Sequence, residues 1–273
     1  MEENQTQTFT SWLNATTIDE ARNASTEEVI RANYLAISVA DYGSYGYGPA
    51  VDGDFVPALP SVLIRSGRFD QSIRLLMFHT AREGYGSSPP QMQSDNDFEK
   101  FVLGAFPGLA ASPDTLKYIV TELYPSVFDG SQALAYTSQY ERAAAFMTEA
   151  FATCGVSYFG DALPFNSWSS DFVIYPSLHE TEATYTLYAG RYSNVSRVDG
   201  NSTTWSTEQI AHVVQGYISR FAQFGDPNGD DTPYWPVYGM NATANIVNTT
   251  GFTIGKESSA NHRCEWWSKG LYY

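Results

Sequence analysis

The sequence predicts a mixed α/β fold with an incomplete central sheet flanked by helices. Three observations lead there. Hydrophobic residues make up 43% of the 273 positions and charged residues only 16%, the profile of a packed chain rather than a disordered or fibrous one. Short apolar runs of strand length alternate with longer stretches of helical periodicity. The strands are also too few, because two or three of them cannot cover several long helices in a doubly wound sheet.

Taken in order, Ser25 followed by Glu28 is a capping-box pattern ahead of Val29, Ile30, Ala32, Leu35 and Ala36, so a helix is expected over 26–39. A glycine- and tyrosine-rich loop follows from Asp41 to Pro49, and the Gly and Pro punctuation from Val51 to Pro57 argues against regular structure. Ile73 to Phe78 form a near-continuous apolar run short enough for a buried strand. Helical periodicity returns over 95–104, 113–123 and 133–152, behind starts at Ser94, Ser112 and Ser131. A second buried strand is expected from Asp171 to Tyr175, then a long amphipathic helix from Thr207 to Phe224 that stops at Gly225. Weaker strand signals lie between Ala244 and Ile254, before an aromatic tail with Trp266, Trp267, Tyr272 and Tyr273.

Charge excludes some partners. Fifteen Lys and Arg against thirty Asp and Glu leave a formal charge of −15, which repels a phosphate backbone and argues against nucleic acid. No run approaches the roughly 18 apolar residues of a membrane span. Asn-x-Ser/Thr acceptors at Asn4, Asn14, Asn23, Asn194, Asn201, Asn241 and Asn248 read as the mark of a secreted glycoprotein. Cys154 and Cys264, 110 residues apart, have neither metal-ligand nor redox-pair spacing. They are either two buried thiols or one long-range disulfide, and the glycosylation acceptors favour the disulfide. No secretory leader is visible behind Met1, so an N-terminal piece is expected to be missing.

Two places look like the ends of sheet strands, where ligands gather in open α/β folds. Glu83 follows the first strand and is released by Gly84, a suitable place for an orienting acid; His179 follows the second, where a histidine can serve as general base. On spacing alone an ordinary solvated loop residue is the commoner reading of each. No serine nucleophile is found, because Gly155-Val156-Ser157-Tyr158-Phe159 has the wrong fifth residue and lies in or beside a helix, leaving Ser157 a packing or capping role. Dinucleotide, P-loop, zinc-protease and calcium-loop patterns are absent, and no cofactor is expected.

Taken together the motifs resemble the type-B carboxylesterase and lipase family, the cholinesterase-like α/β-hydrolases, and in particular its secreted fungal members. The matching segments run in order: Tyr47-Gly48-Pro49 with Val51-Asp52-Gly53-Asp54-Phe55-Val56-Pro57, Ser66 to Phe69, Arg82-Glu83-Gly84, Leu123-Tyr124-Pro125, Tyr140 to Ala143, Ala152-Thr153-Cys154, His179 to Thr186, Phe221 to Asn228, Trp235 to Tyr238, and Arg263-Cys264 with Trp267. They cover nearly the whole chain but only the family's C-terminal half, which would account for the missing leader, strands and nucleophile. The resemblance implies the C-terminal part of an α/β-hydrolase fold, Glu83 as triad acid, His179 as triad base, and a Cys154–Cys264 disulfide. It implies a small-molecule or lipid ester as substrate of the complete protein, and no turnover by this chain alone. Three departures stand out: Glu180 and Phe78 occupy positions where the family usually has glycine, and a family cysteine expected near Glu20 to Arg22 is missing. A non-catalytic binding module of the same fold is the main alternative. A glycosidase or carbohydrate-binding domain, suggested by the 15% aromatic content, ranks last because no paired-carboxylate constellation is visible.

Overall fold

A computed structural model describes residues 2–40, 42, 50–131, 135–190, 200 and 203–272. Tyr47, Gly48 and Pro49 of the first motif, and the acceptors Asn194 and Asn201, lie outside the described residues. Three helices, α1 (Glu2–Leu13), α2 (Ile18–Asn23) and α3 (Thr26–Ser38), open the chain and α4 (Pro60–Arg65) follows. Strand β1 (Leu75–Thr80) precedes α5 (Asp95–Ala105), α6 (Pro113–Tyr118), α7 (Gln139–Met147) and α8 (Cys154–Ala162). After β2 (Ser167–Phe172) come α9 (Ala183–Thr186), α10 (Thr207–Phe224), β3 (Thr243–Asn248), β4 (Gly251–Lys256) and α11 (His262–Trp267).

The locally coded helices sit where the sequence places them. In α3, Ser25 accepts from the Glu28 N–H and Glu28 returns a bond to the Ser25 N–H at 2.7 Å; Ser94 with Asp97 and Ser206 with Gln209 do the same for α5 and α10. Gly225 ends α10 in the left-handed region at φ +70°, which glycine enters without a Cβ clash. The helix expected from 133 begins instead at Gln139, capped by Ser138, and runs through a π-type turn at Thr148–Thr153 into α8. Ser131 lies well ahead of that start, its N–H donating to Asp129 Oδ1 at 2.9 Å.

The sheet has four strands among the described residues, in the order β1-β2-β3-β4, against the two or three expected. The first three are parallel, and β3 and β4 form an antiparallel hairpin over the stretch where the weaker strand signals lie. Register sets Leu75 opposite Ser167 and Thr80 opposite Phe172, so β1 opens at Leu75 rather than Ile73. The second strand is corrected more strongly. It starts at Ser167 and leaves the ladder after Phe172, although every one of its six residues, Ser-Trp-Ser-Ser-Asp-Phe, is buried. An apolar run is one way to bury a strand; small hydroxyl side chains that bond to neighbouring groups are another, as when Ser167 donates to the Leu163 carbonyl and Ser170 to that of Asn245.

Side-chain alternation gives the two faces different chemistry. Phe172 and Val247 meet Ile210, Ala211 and Val214 of α10, with Trp168, Tyr217 and Trp235 continuing this apolar layer. The opposite face carries His79, Ser169 and Asp171, joined from beyond β4 by Glu257, all buried. His79 Nε2 lies 2.8 Å from Glu257 Oε1, and the other Glu257 oxygen accepts from the Ser169 hydroxyl. Burial by itself would lower the His79 pKa, but the bond and charge of Glu257, helped by Asp171, outweigh it and raise it to about 9. The same pairing holds Glu257 near 2 against the upward push of burial.

A third group of helices packs beside the sheet around Phe98, Ile119, Leu123, Tyr124, Phe146 and Trp267. Here α11 is docked by the Cys154–Cys264 disulfide, with Cα atoms 4.9 Å apart, and by Arg263, whose Nε and Nη2 meet the buried Glu149 carboxylate at 2.6 and 2.7 Å.

Two outcomes are expected. The disulfide closes a sequence separation of 110 residues, so replacing both cysteines by serine should lower the unfolding free energy by about 4 to 5 kcal/mol on a chain-entropy basis, read from urea melts. The His79–Glu257 pair should make stability pH-dependent in a defined window. Its contribution from His79 is complete below pH 6.5 and lost as the pH rises through about 9; that from Glu257 is complete above pH 4.5 and lost as the pH falls through about 2. Urea midpoints measured across pH 2–10 should therefore lose part of their alkaline slope in His79→Gln.

Candidate functional site

Parallel strands release their chains at the same edge of a sheet, and the two expected site residues come from two such releases. Past β1 the Ala81 N–H still reaches the Phe172 carbonyl at 3.1 Å, and the Arg82 N–H reaches that of Ser177 at 2.9 Å. Arg82 and Leu178 form a parallel bridge, so the loops remain paired beyond the strands. Gly84 then passes hard against α7: a Cβ there would lie 2.2 Å from the Ala144 carbonyl oxygen and 2.6 Å from Met147 Cβ. Only glycine allows that approach, and its N–H is fixed by the Thr148 hydroxyl at 2.9 Å.

Glu83 and His179 are 96 residues apart in sequence and meet here, His179 Nδ1 lying 2.5 Å from Glu83 Oε2. The other carboxylate oxygen accepts from the Thr80 N–H at 2.6 Å, so both oxygens are held. The carboxylate side chain is 9% exposed and the imidazole 65%. An ionised carboxylate only accepts, so Nδ1 carries the proton and Nε2 is left as the open, basic nitrogen of the neutral ring. The bond to Glu83 raises the His179 pKa; partial burial opposes this, and the charges of Glu83, Glu180 and Glu182 add to the rise. Burial also pushes the Glu182 carboxyl up, and its Oε2 finds no hydrogen-bond partner among the described residues.

Glu180 has φ +68° and Ser177 φ +47°. The Glu180 position is the one where the resemblance calls for glycine, and its backbone adopts the left-handed conformation that glycine serves. Phe78, the other departure, turns into the apolar layer and packs on Phe172 and Trp235 with ring centroids 6.1 and 5.7 Å away.

The other expected residues lie elsewhere. Ser157 sits in α8 with its hydroxyl on the Cys154 carbonyl at 2.9 Å, a local helix bond. Among the glycosylation acceptors, Asn14, Asn23 and Asn241 are exposed and Asn248 is half-buried, its Oδ1 taking bonds from the Thr250 N–H and hydroxyl; Asn4 falls within α1. No group of three or more His, Cys, Asp or Glu able to hold a metal occurs among the described residues, and no helix among them is long and apolar enough to cross a membrane. The buried His79, Asp171 and Glu257 cluster was not foreseen, since residues this far apart carry no spacing signal.

A family model described as the carboxylesterase family matches residues 2–267. Carboxylesterase patB of Aspergillus clavatus is 32% identical over 262 residues, which are 96% of this chain and 45% of that protein. An inactive carboxylesterase-like protein, VdtD of Byssochlamys spectabilis, is 32% identical over 111 residues, 40% of this chain and 19% of its own. The crystal structure of Aspergillus niger EstA superposes with a TM-score of 0.76 at 19% identity, covering 98% of this chain and 54% of EstA. The chain thus spans about half the length of the curated relatives it matches. The four-stranded sheet and its helices are part of a carboxylesterase α/β-hydrolase fold.

Because Glu83 raises the His179 pKa, the neutral base should accumulate only as the pH rises past a midpoint above 6.5. A histidine NMR titration should show that midpoint, and Glu83→Gln should bring it down.

Proposed function

The chain belongs to the carboxylesterase family, and from that premise we propose that it is the C-terminal portion of a serine carboxylic-ester hydrolase, supplying the acid and base of its triad. The observation that supports this is the 2.5 Å contact between His179 Nδ1 and Glu83 Oε2, which leaves Nε2 open. In this reading Nε2 removes the proton from a serine hydroxyl as that oxygen attacks the ester carbonyl, then returns it to the leaving alcohol. Glu83 holds the productive tautomer and stabilises the imidazolium. The serine and the oxyanion donors would come from residues that this sequence does not contain, and the substrate would be a small-molecule or lipid ester. Secretion and glycosylation belong to the same reading, supported by the disulfide and by the exposed acceptors Asn14, Asn23 and Asn241.

A second reading, a non-catalytic binding module of this fold, is favoured by Glu180. An exposed carboxylate there adds bulk and negative charge beside the base, and one relative carries the name of an inactive carboxylesterase-like protein. The two readings separate on p-nitrophenyl butyrate. These 273 residues alone should not turn it over, because the covalent step has no nucleophile. Joined to an upstream half carrying the serine elbow, the protein should hydrolyse the ester, and His179→Ala should lower kcat by about 10⁴-fold or more. An intact protein with a serine elbow and no turnover would favour the binding module.

A further inference from the structure

The buried cluster on the polar face of the sheet has no place in the triad chemistry, yet it touches the backbone residue that holds the triad acid. His79 is 3% exposed at its side chain, and both of its ring nitrogens face oxygens. Nε2 lies 2.8 Å from Glu257 Oε1, an oxygen that also accepts from the Ser259 N–H and hydroxyl at 3.0 Å. Nδ1 lies 3.2 Å from the Thr80 carbonyl oxygen and 3.7 Å from Asp171 Oδ1. A carbonyl can only accept, and a carboxylate fed by three other donors behaves likewise. A neutral imidazole has one N–H and would set its lone pair against an oxygen, so the geometry favours the doubly protonated ring.

Thr80 is therefore gripped from two sides. Its carbonyl takes the His79 Nδ1–H, while its N–H gives Glu83 Oε1 the 2.6 Å bond that orients the carboxylate. Alternation along β1 explains the division: the Leu75 and Ala81 N–H groups point to the second strand, so that of Thr80 points away from it, toward Glu83. The cation also offsets local carboxylate density. Asp171 lies directly across the ladder from His79; burial raises its pKa, the charge of His79 lowers it, and the charges of Glu257 and Glu83 raise it further. Glu257, Asp171 and Glu83 are the charged groups gathered around this ring and its neighbour.

We propose that His79 is a positioning residue for the Glu83–His179 pair, a buried imidazolium anchored on Glu257 that fixes Thr80 and through it the triad acid. The inference rests on the triad reading of Glu83 and His179, and the experiment separates the two. The intact protein, labelled with 15N-histidine, is titrated as wild type, Glu83→Gln, His79→Gln and the double variant His79→Val with Glu257→Leu. The double variant removes the ion pair as a unit, a replacement that a core tolerates far better than an orphaned charge, and a cooperative melt confirms that it folds.

In wild type the two His79 nitrogen shifts should report an imidazolium at pH 7, a reading that needs no variant. Both His79 variants should lower the His179 midpoint toward that of Glu83→Gln. They should also lower kcat on an ester by about 10- to 100-fold with KM little changed, the scale of a misplaced catalytic group. A purely structural ion pair would leave the His179 midpoint of the folded double variant where it was, and that result overturns the proposal, as does a neutral His79 at pH 7. If Glu83→Gln itself fails to move His179, the acid–base reading falls and this one falls with it.

Discussion

The parallel pairing of β1 with β2 is the constraint on which the rest of the candidate site depends. Two parallel strands deliver their ends to one edge, and here the backbone pairing continues past the ladder through Ala81, Arg82 and Ser177. The loops are locked together before any site side chain is considered, which is how residues 96 positions apart come into hydrogen-bond contact. A slip of one residue in this register would exchange the faces of β1. His79 would leave Asp171 and Glu257 for the apolar layer under α10, and Phe78 would enter the polar one.

The two faces stabilise the sheet by different means. Burial of aromatic and aliphatic surface holds α10 against one side, with Trp168, Trp235 and Tyr217 among its largest members. On the other side burial alone would be costly, since it removes charges from water. The structure answers with pairing: His79 with Glu257 on the sheet, and Arg263 with Glu149 under α11, where Glu149 also accepts from the Tyr124 hydroxyl at 2.8 Å. Arg142, likewise buried, spends its guanidinium on the Tyr124 and Val120 carbonyls and on Asp95. Such pairs contribute little net stability over apolar replacements, but they fix geometry, because breaking one leaves a buried charge without a partner.

The loop after β2 holds a non-glycine residue in a backbone geometry that glycine adopts more readily. Glu180 at φ +68° costs about 1 to 2 kcal/mol relative to a residue free to adopt that region, and Ser177 at φ +47° adds a second left-handed position. The Arg82–Ser177 bond and the 2.5 Å contact of His179 with Glu83 hold the loop in place on either side. The charge of Glu180 also acts on the His179 imidazole, so this residue touches the electrostatics of the base as well as the shape of its loop.

Local signals were legible in the sequence. Ser25 with Glu28, the start at Ser94 and the stop at Gly225 marked helices that stand where expected, because caps and left-handed ends are interactions within a few residues. The ordered motifs likewise identified the family, and they singled out Cys154 with Cys264 and Glu83 with His179, which the structure brings into contact. Strand β2 was misplaced because its burial rests on serine hydroxyls that bond to partners on other elements, and a hydropathy pattern cannot register those. The His79–Glu257 contact spans 178 residues and the Arg263–Glu149 contact 114. Neither pairing has any signature along the chain. A buried charge becomes tolerable only when another segment brings its counter-ion, and which segment does so was decided by the packing of the sheet and helices, not by the residues beside it.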